Sequence, residues 1–138
     1  MSARIVSVEP NATVRGAIAR MMEESVGSVA VLEGSRFAGI FTERDVLRLA
    51  AEQADFLELR VAEVMTLHPV TVTPADLLVD AARLMGEHKV RHLPVVEEDD
   101  LLGMIGIRDV LRTLVERGWS EHDADARETA RGLLRRSD

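Results

Sequence analysis

Residues 39–48 read Gly39-Ile40-Phe41-Thr42-Glu43-Arg44-Asp45-Val46-Leu47-Arg48, and much of that stretch returns 64 positions later as Gly103-Met104-Ile105-Gly106-Ile107-Arg108-Asp109-Val110-Leu111-Arg112. Sliding residues 4–50 onto 68–114 needs no gap, and 15 of the 47 pairs are identical, far more than chance supplies. A chain duplicated in this way folds as two copies of one supersecondary unit. The first half of each quoted segment is apolar and β-prone, and the second is charged and then helix-periodic. Each is therefore a strand running into a helix, with an acid in the first helical turn.

Each copy holds five parts. A short strand comes first, Ile5 to Val8 and Val70 to Val72, ended by Pro10 and Pro74. Val14, Ala17, Ile18, Met21 and Met22 then fall at helical spacing, as do Leu78, Ala81, Ala82 and Met85, with Asp76 placed to cap the second helix. Two strands follow, Ser28–Leu32 with Phe37–Phe41 and His92–Val96 with Leu101–Ile105. Gly34-Ser35 turns one pair and Glu98-Asp99-Asp100 the other. A second helix starts near Glu43 and near Ile107. The fold class is thus α+β, β-α-β-β-α written twice, with each half covering one face of a small sheet and the halves packing together.

Between the copies, Ala51-Glu52-Gln53-Ala54 extends a helix, and Val61-Ala62-Glu63-Val64-Met65 forms a short one. The tail, 116–138, reads as an addition with no counterpart. Ser120 with Asp123 has the form of a capping box. Ala126, Ala130, Leu133 and Leu134 make a thin apolar stripe, and Arg135 and Arg136 stand where a helix end favours cations. The expected divisions are 1–56 for the first repeat, 57–117 for the second with its lead-in helix, and 118–138 for a helical tail that docks on this chain or on a partner.

Composition narrows the functions. Seventeen basic against 24 acidic residues leave a net charge of −7, and aromatics are 3%. That balance argues against a nucleic-acid partner, which calls for a basic surface and stacking platforms. The apolar runs are short, so no membrane span is expected, and no secretory signal is visible. The absence of cysteine excludes disulfides and thiolate chemistry and fits a reducing, cytoplasmic setting. No Walker loop or nucleophile elbow is present. His88 and His92 are four apart, but a helix ends between them, so no metal site is expected.

With Val64-Met65-Thr66, Pro69-Val70-Thr71-Val72, Pro74, Val90-Arg91-His92-Leu93-Pro94-Val95-Val96 and the two glycine-to-aspartate segments in view, the chain resembles a tandem pair of cystathionine-β-synthase (CBS) domains over roughly residues 4–116. The order and spacing of these motifs carry the resemblance. It implies two repeats about a pseudo-twofold axis, usually paired with a second such pair as a homodimer. It also implies clefts between repeats that often hold AMP, ADP or ATP, and a regulatory role toward a protein target that the sequence does not name. No enzyme activity and no required cofactor are expected; the adenine nucleotide is a regulatory ligand.

In ligand-binding members a hydroxyl, two residues and an aspartate hold the ribose. A carboxylate offers two acceptors to the vicinal diol, and charge-assisted bonds are the strong kind. Thr42-Glu43-Arg44-Asp45 has the whole pattern; Gly106-Ile107-Arg108-Asp109 keeps the acid and lacks the hydroxyl. Thr42 and Asp45 are equally a helix cap with an acid in the first turn, and the two roles are compatible. By the resemblance, Arg91 and His92, beside Lys89, face the phosphates, although strand alternation sends Arg91 and His92 to opposite faces. Ile40, Pro69 and Val70 surround the adenine, with core packing as the competing role of Ile40 and Val70. One cleft is then competent, and the one built on Asp109 is degenerate. The alternatives are a ligand-free structural or interaction module, and a binder of another adenosine compound such as S-adenosylmethionine.

Overall fold

Val14, Ala17 and Met21 form the buried stripe of helix α1 (Val14–Glu24). Thr13 caps its start, its side-chain oxygen accepting from the Gly16 amide at 3.0 Å. The helix ends where Ser25 turns left-handed, φ 55°. The structure, a computed structural model, describes residues 5–116 and 129–136. Its described residues form two compact units, one on residues 5–69 and one on residues 70–116 with 129–136.

In the first unit, β1 (Ser7–Val8) runs parallel to β2 (Ser28–Glu33), and β2 runs antiparallel to β3 (Arg36–Thr42). The hairpin turns through Gly34-Ser35 with φ 65° at Gly34. β3 passes straight into α2 (Glu43–Glu52), as the apolar-then-periodic pattern predicts. A four-residue helix, α3 (Val61–Val64), then lies against the loop before α1. Its Val61 amide donates to the Ala12 carbonyl at 2.8 Å and its Ala62 amide to the Pro10 carbonyl at 2.9 Å. Val14, Ala17, Met21, Val29, Val31, Phe41, Leu49 and Val61 are the core of this unit.

The second unit repeats the plan with α4 (Leu78–His88), β4 (His92–Glu97), β5 (Asp100–Gly106) and α5 (Ile107–Glu116). α4 also ends left-handed, at Lys89 with φ 55°. The β4–β5 register shifts between Val95 and Val96, as β2–β3 does between Val31 and Leu32, so even the strand irregularity is duplicated.

Three expectations are corrected here. The strand expected over Val70 to Val72 shrinks to one bridge, Val72 with Val95. In the first unit the Ala30 amide donates to the Val6 carbonyl at 3.0 Å. The equivalent residue is Pro94, which has no N–H to offer Val70, so the ladder loses that rung. Asp76 does not cap α4. Leu77 stands at that position, and the Asp76 carboxylate instead accepts from the Thr73 amide at 2.7 Å, closing a turn.

The tail does have a counterpart. Helix α6 (Ala130–Arg136) sits on the second unit as α3 sits on the first. The Ala130 amide donates to the Asp76 carbonyl at 2.9 Å and the Arg131 amide to the Pro74 carbonyl at 3.1 Å. Asp76 and Pro74 are the duplicates of Ala12 and Pro10. The bridge between Thr13 and Arg60 likewise reappears between Leu77 and Thr129. Ala130, Leu133 and Leu134 complete a core made with Leu78, Ala81, Met85, Leu93, Val95, Ile105, Val110 and Leu114. The Ser120–Asp123 capping box and Ala126 lie outside the described residues, as do the side chains of Arg135 and Arg136.

Candidate functional site

The strand-to-helix junction of the first unit is a capping box. The Asp45 amide donates to Thr42 Oγ1 at 3.3 Å, and the Thr42 amide donates to Asp45 Oδ2 at 2.9 Å. Asp45 is buried, its side chain only 8% exposed, and the carboxylate gathers more than the cap. The Thr42 hydroxyl donates to Oδ2 at 3.2 Å. Arg48 Nη2 reaches Oδ1 at 3.4 Å, and the Thr66 hydroxyl spans Oδ1 at 3.3 Å and Oδ2 at 3.5 Å. A carboxylate this buried needs such partners, because an unpaired charge out of water is strongly destabilised.

The same cluster ties α2 to the segment after α3. Arg48 Nη2 also donates to the Val64 carbonyl at 3.1 Å. Thr66 exchanges both backbone bonds with Ile40, at 2.9 and 3.1 Å. Ile40 itself is 4% exposed and paired along its backbone, the position of a packing residue. Pro69, half-buried, ends the first unit just after His68, which adopts φ 50°.

The second unit places its candidates differently. Asp109 is bound by Arg112 Nη2 at 2.6 Å, one turn along α5, and its side chain is 44% exposed. Gly106 offers no hydroxyl. His92 pairs with Gly106 across β4 and β5, and its ring carbon Cδ2 lies 3.7 Å from where a Cβ on Gly106 would stand. The Arg91 carbonyl accepts the Ile107 amide at 2.8 Å, as the Gly27 carbonyl accepts the Glu43 amide at 3.0 Å. The Arg91 side chain is exposed and forms no ion pair among the described residues. Val70 is half-buried against the second core. An open hollow of about 270 Å³ beside α4, lined by Val72, Asp76, Asp80, Arg83, Leu84 and Glu87, contains none of the predicted site residues. No cluster of metal-ligating side chains occurs among the described residues.

The sequence pattern of the CBS domain matches twice, at residues 1–52 and 61–116. The chain belongs to the CBS-domain family. The CBS domain-containing protein YhcV of Bacillus subtilis is 34% identical over 111 residues, 80% of this chain and 79% of that protein. Other curated relatives are longer, and the chain spans 56% of one and 32% of another. Among solved structures, CBSX2 in complex with AMP has a TM-score of 0.75 at 28% identity, covering 86% of this chain and 95% of that one. The CBS protein PAE2072 of Pyrobaculum aerophilum complexed with AMP has a TM-score of 0.73 at 28% identity, covering 84% and 95%.

Within the CBS repeats, Thr66 and Arg48 are the residues that sequence reasoning did not assign to the junction. Arg48 was legible in principle, since an i, i+3 pair shares a helix face with Asp45. Thr66 was not, because it arrives from 21 residues away through the docking of α3.

Proposed function

We propose that the chain is a non-enzymatic sensor module that binds an adenine nucleotide, AMP, ADP or ATP, with the ribose on Asp45 and Thr42. The supporting observation is the capping box in the first repeat, which holds a buried carboxylate and an adjacent hydroxyl in one fixed geometry. Two adjacent acceptor oxygens suit a vicinal diol. The AMP complexes of CBSX2 and PAE2072 make this ligand class the natural one. Arg91 and His92 are assigned to the phosphates, and Ile40, Pro69 and Val70 to the adenine, on the family resemblance. Asp109, half-exposed and held by Arg112 without a hydroxyl beside it, belongs to a degenerate second site.

Calorimetric titration of AMP, ADP and ATP into the wild type and Asp45→Ala tests the assignment. Binding by the wild type that is lost in the variant supports it; equal binding by both rejects it. Truncating Arg91 to Ala should weaken ATP more than AMP if the phosphates meet a cation there.

A second copy of this chain is the proposed partner of the second helices. Leu47 on α2 and Leu111 on α5 are duplicate positions, and both are exposed, as is Val115 one turn beyond Leu111. An exposed large apolar side chain at the same place on each second helix, with a second one a turn along α5, supports an association surface there. A reducing, cytoplasmic setting is proposed from the absence of cysteine. The ligand-free reading draws on the internal bonds that already occupy the Asp45 carboxylate, and the same titration decides between the two.

A further inference from the structure

We propose that Thr66 is a clasp on this site: a nucleoside diol that engages Asp45 displaces the Thr66 hydroxyl, and the displacement is transmitted to the lead-in segment 61–66. This rests on the nucleotide reading above and deepens it, from a place of binding to a route of response.

The groups on the carboxylate are unequal. Thr42 and Arg48 belong to the same helix start as Asp45, and the Thr42 amide bond is short, 2.9 Å. The side-chain contacts are all long, the Thr42 hydroxyl at 3.2 Å, Arg48 at 3.4 Å and Thr66 at 3.3 and 3.5 Å, but Thr66 alone comes from another segment, and its bond is split over both oxygens, outside the 2.5–3.0 Å of a well-made O–H···O bond. A diol hydroxyl on a carboxylate makes a shorter, charge-assisted bond. The exchange therefore trades one weak, split bond for two good ones, and the carboxylate is never left unsatisfied. Thr66 is also exposed while the acid it bonds is buried, so of the two partners the hydroxyl-bearing residue is the one solvent reaches.

Displacement has somewhere to go. The Thr66 backbone is bonded on both sides to Ile40, and Arg48 holds the end of α3 through the Val64 carbonyl while reaching Asp45 with the same nitrogen. A ligand that takes over Asp45 thus alters two of the tethers on residues 61–66. Those residues lead directly into the second repeat. The second repeat has no such arrangement among its described residues, since Asp109 faces only Arg112. A ligand shifts this equilibrium by its preference for the open clasp.

Calorimetry of AMP, ADP and ATP on the wild type, Thr66→Val and Thr66→Ser tests the clasp, with hydrogen exchange of Met65 and Thr66 read with and without nucleotide. Removing a competing neutral bond should tighten binding by roughly two- to tenfold in Thr66→Val. Thr66→Ser should bind as the wild type does. Nucleotide should change exchange at residues 65 and 66 in the wild type and change it less in Thr66→Val, where only the Arg48 tether remains to respond. Binding that depends on Asp45 but is unaltered or weakened in Thr66→Val overturns the clasp and leaves the nucleotide reading standing. Equal binding by the wild type and Asp45→Ala, or none by either, overturns both. Should Thr66→Val fail to fold, unchanged exchange at residues 65 and 66 in the liganded wild type overturns the clasp by itself.

Discussion

The carbonyl oxygen of Thr66 stands 2.7 Å from the point that a Cβ on Gly39 would occupy, and Met65 Sδ stands 3.0 Å from it. Glycine at 39 is therefore what lets the segment after α3 lie against β3 and exchange backbone bonds with Ile40. It is the contact on which the Thr66–Asp45 arrangement depends.

Gly39→Ala should destabilise the protein by about 1–3 kcal/mol, the usual cost of forcing a methyl group into a packed site. The atom in the way is backbone, so a rotamer change cannot relieve the clash. Equilibrium urea unfolding measures the loss, and a change within a few tenths of wild type would show that the segment yields freely.

The two hairpin turns make a matched pair. Gly34 and Glu98 are duplicates, with φ 65° and 58°, but only the first is glycine. A left-handed residue with a Cβ costs about 1–2 kcal/mol, and glycine gives back part of the gain through a freer unfolded chain. Glu98→Gly should stabilise by about 0.5–1 kcal/mol. Gly34→Ala should destabilise by about 1 kcal/mol from backbone strain alone, since nothing lies within 4 Å of its added Cβ. Opposite signs in thermal unfolding of the two variants check the pair.

Much of this architecture was legible because periodicity reports burial. Val14, Ala17 and Met21 repeat as Leu78, Ala81 and Met85, and all six are buried. What escaped was set by single atoms or by distant contacts. The strand at Val70 fails for want of one N–H on Pro94. The tail hid its kinship because Thr129-Ala130-Arg131-Gly132-Leu133-Leu134 matches Arg60-Val61-Ala62-Glu63-Val64-Met65 at no position by identity, only in apolar pattern, and stands at a longer interval than the rest of the duplication. At the site, the helix cap at Thr42 and Asp45 could be read from spacing, whereas the hold of Thr66 on Asp45 follows from a docking that no local pattern encodes.

The second junction offers an opportunity to restore what the first has. A Cβ on Gly106 meets nothing nearer than 3.7 Å, and no left-handed backbone demands glycine there. Gly106→Thr should recreate the capping box with Asp109 and stabilise by about 0.5–1 kcal/mol, combining a small capping gain with reduced unfolded-state freedom. The exposed Asp109–Arg112 pair it competes with contributes little. Urea unfolding reads the change, and a destabilised variant would show that the second junction is shaped by something other than a missing hydroxyl.

If α6 completes the second repeat as α3 completes the first, its buried side chains are core residues. Leu133 is 4% exposed and packs into the second core. Leu133→Ala should cost about 2–5 kcal/mol, the range for emptying a buried leucine site. Arg131→Ala removes only an exposed 3.6 Å pair with Glu97 and should change stability by less than about 1 kcal/mol. Hydrogen exchange should locate the Leu133→Ala effect in α4, α5 and β5, the elements that α6 contacts, and leave the first unit protected. A Leu133→Ala protein as stable as the wild type would mean that the second core closes without its tail.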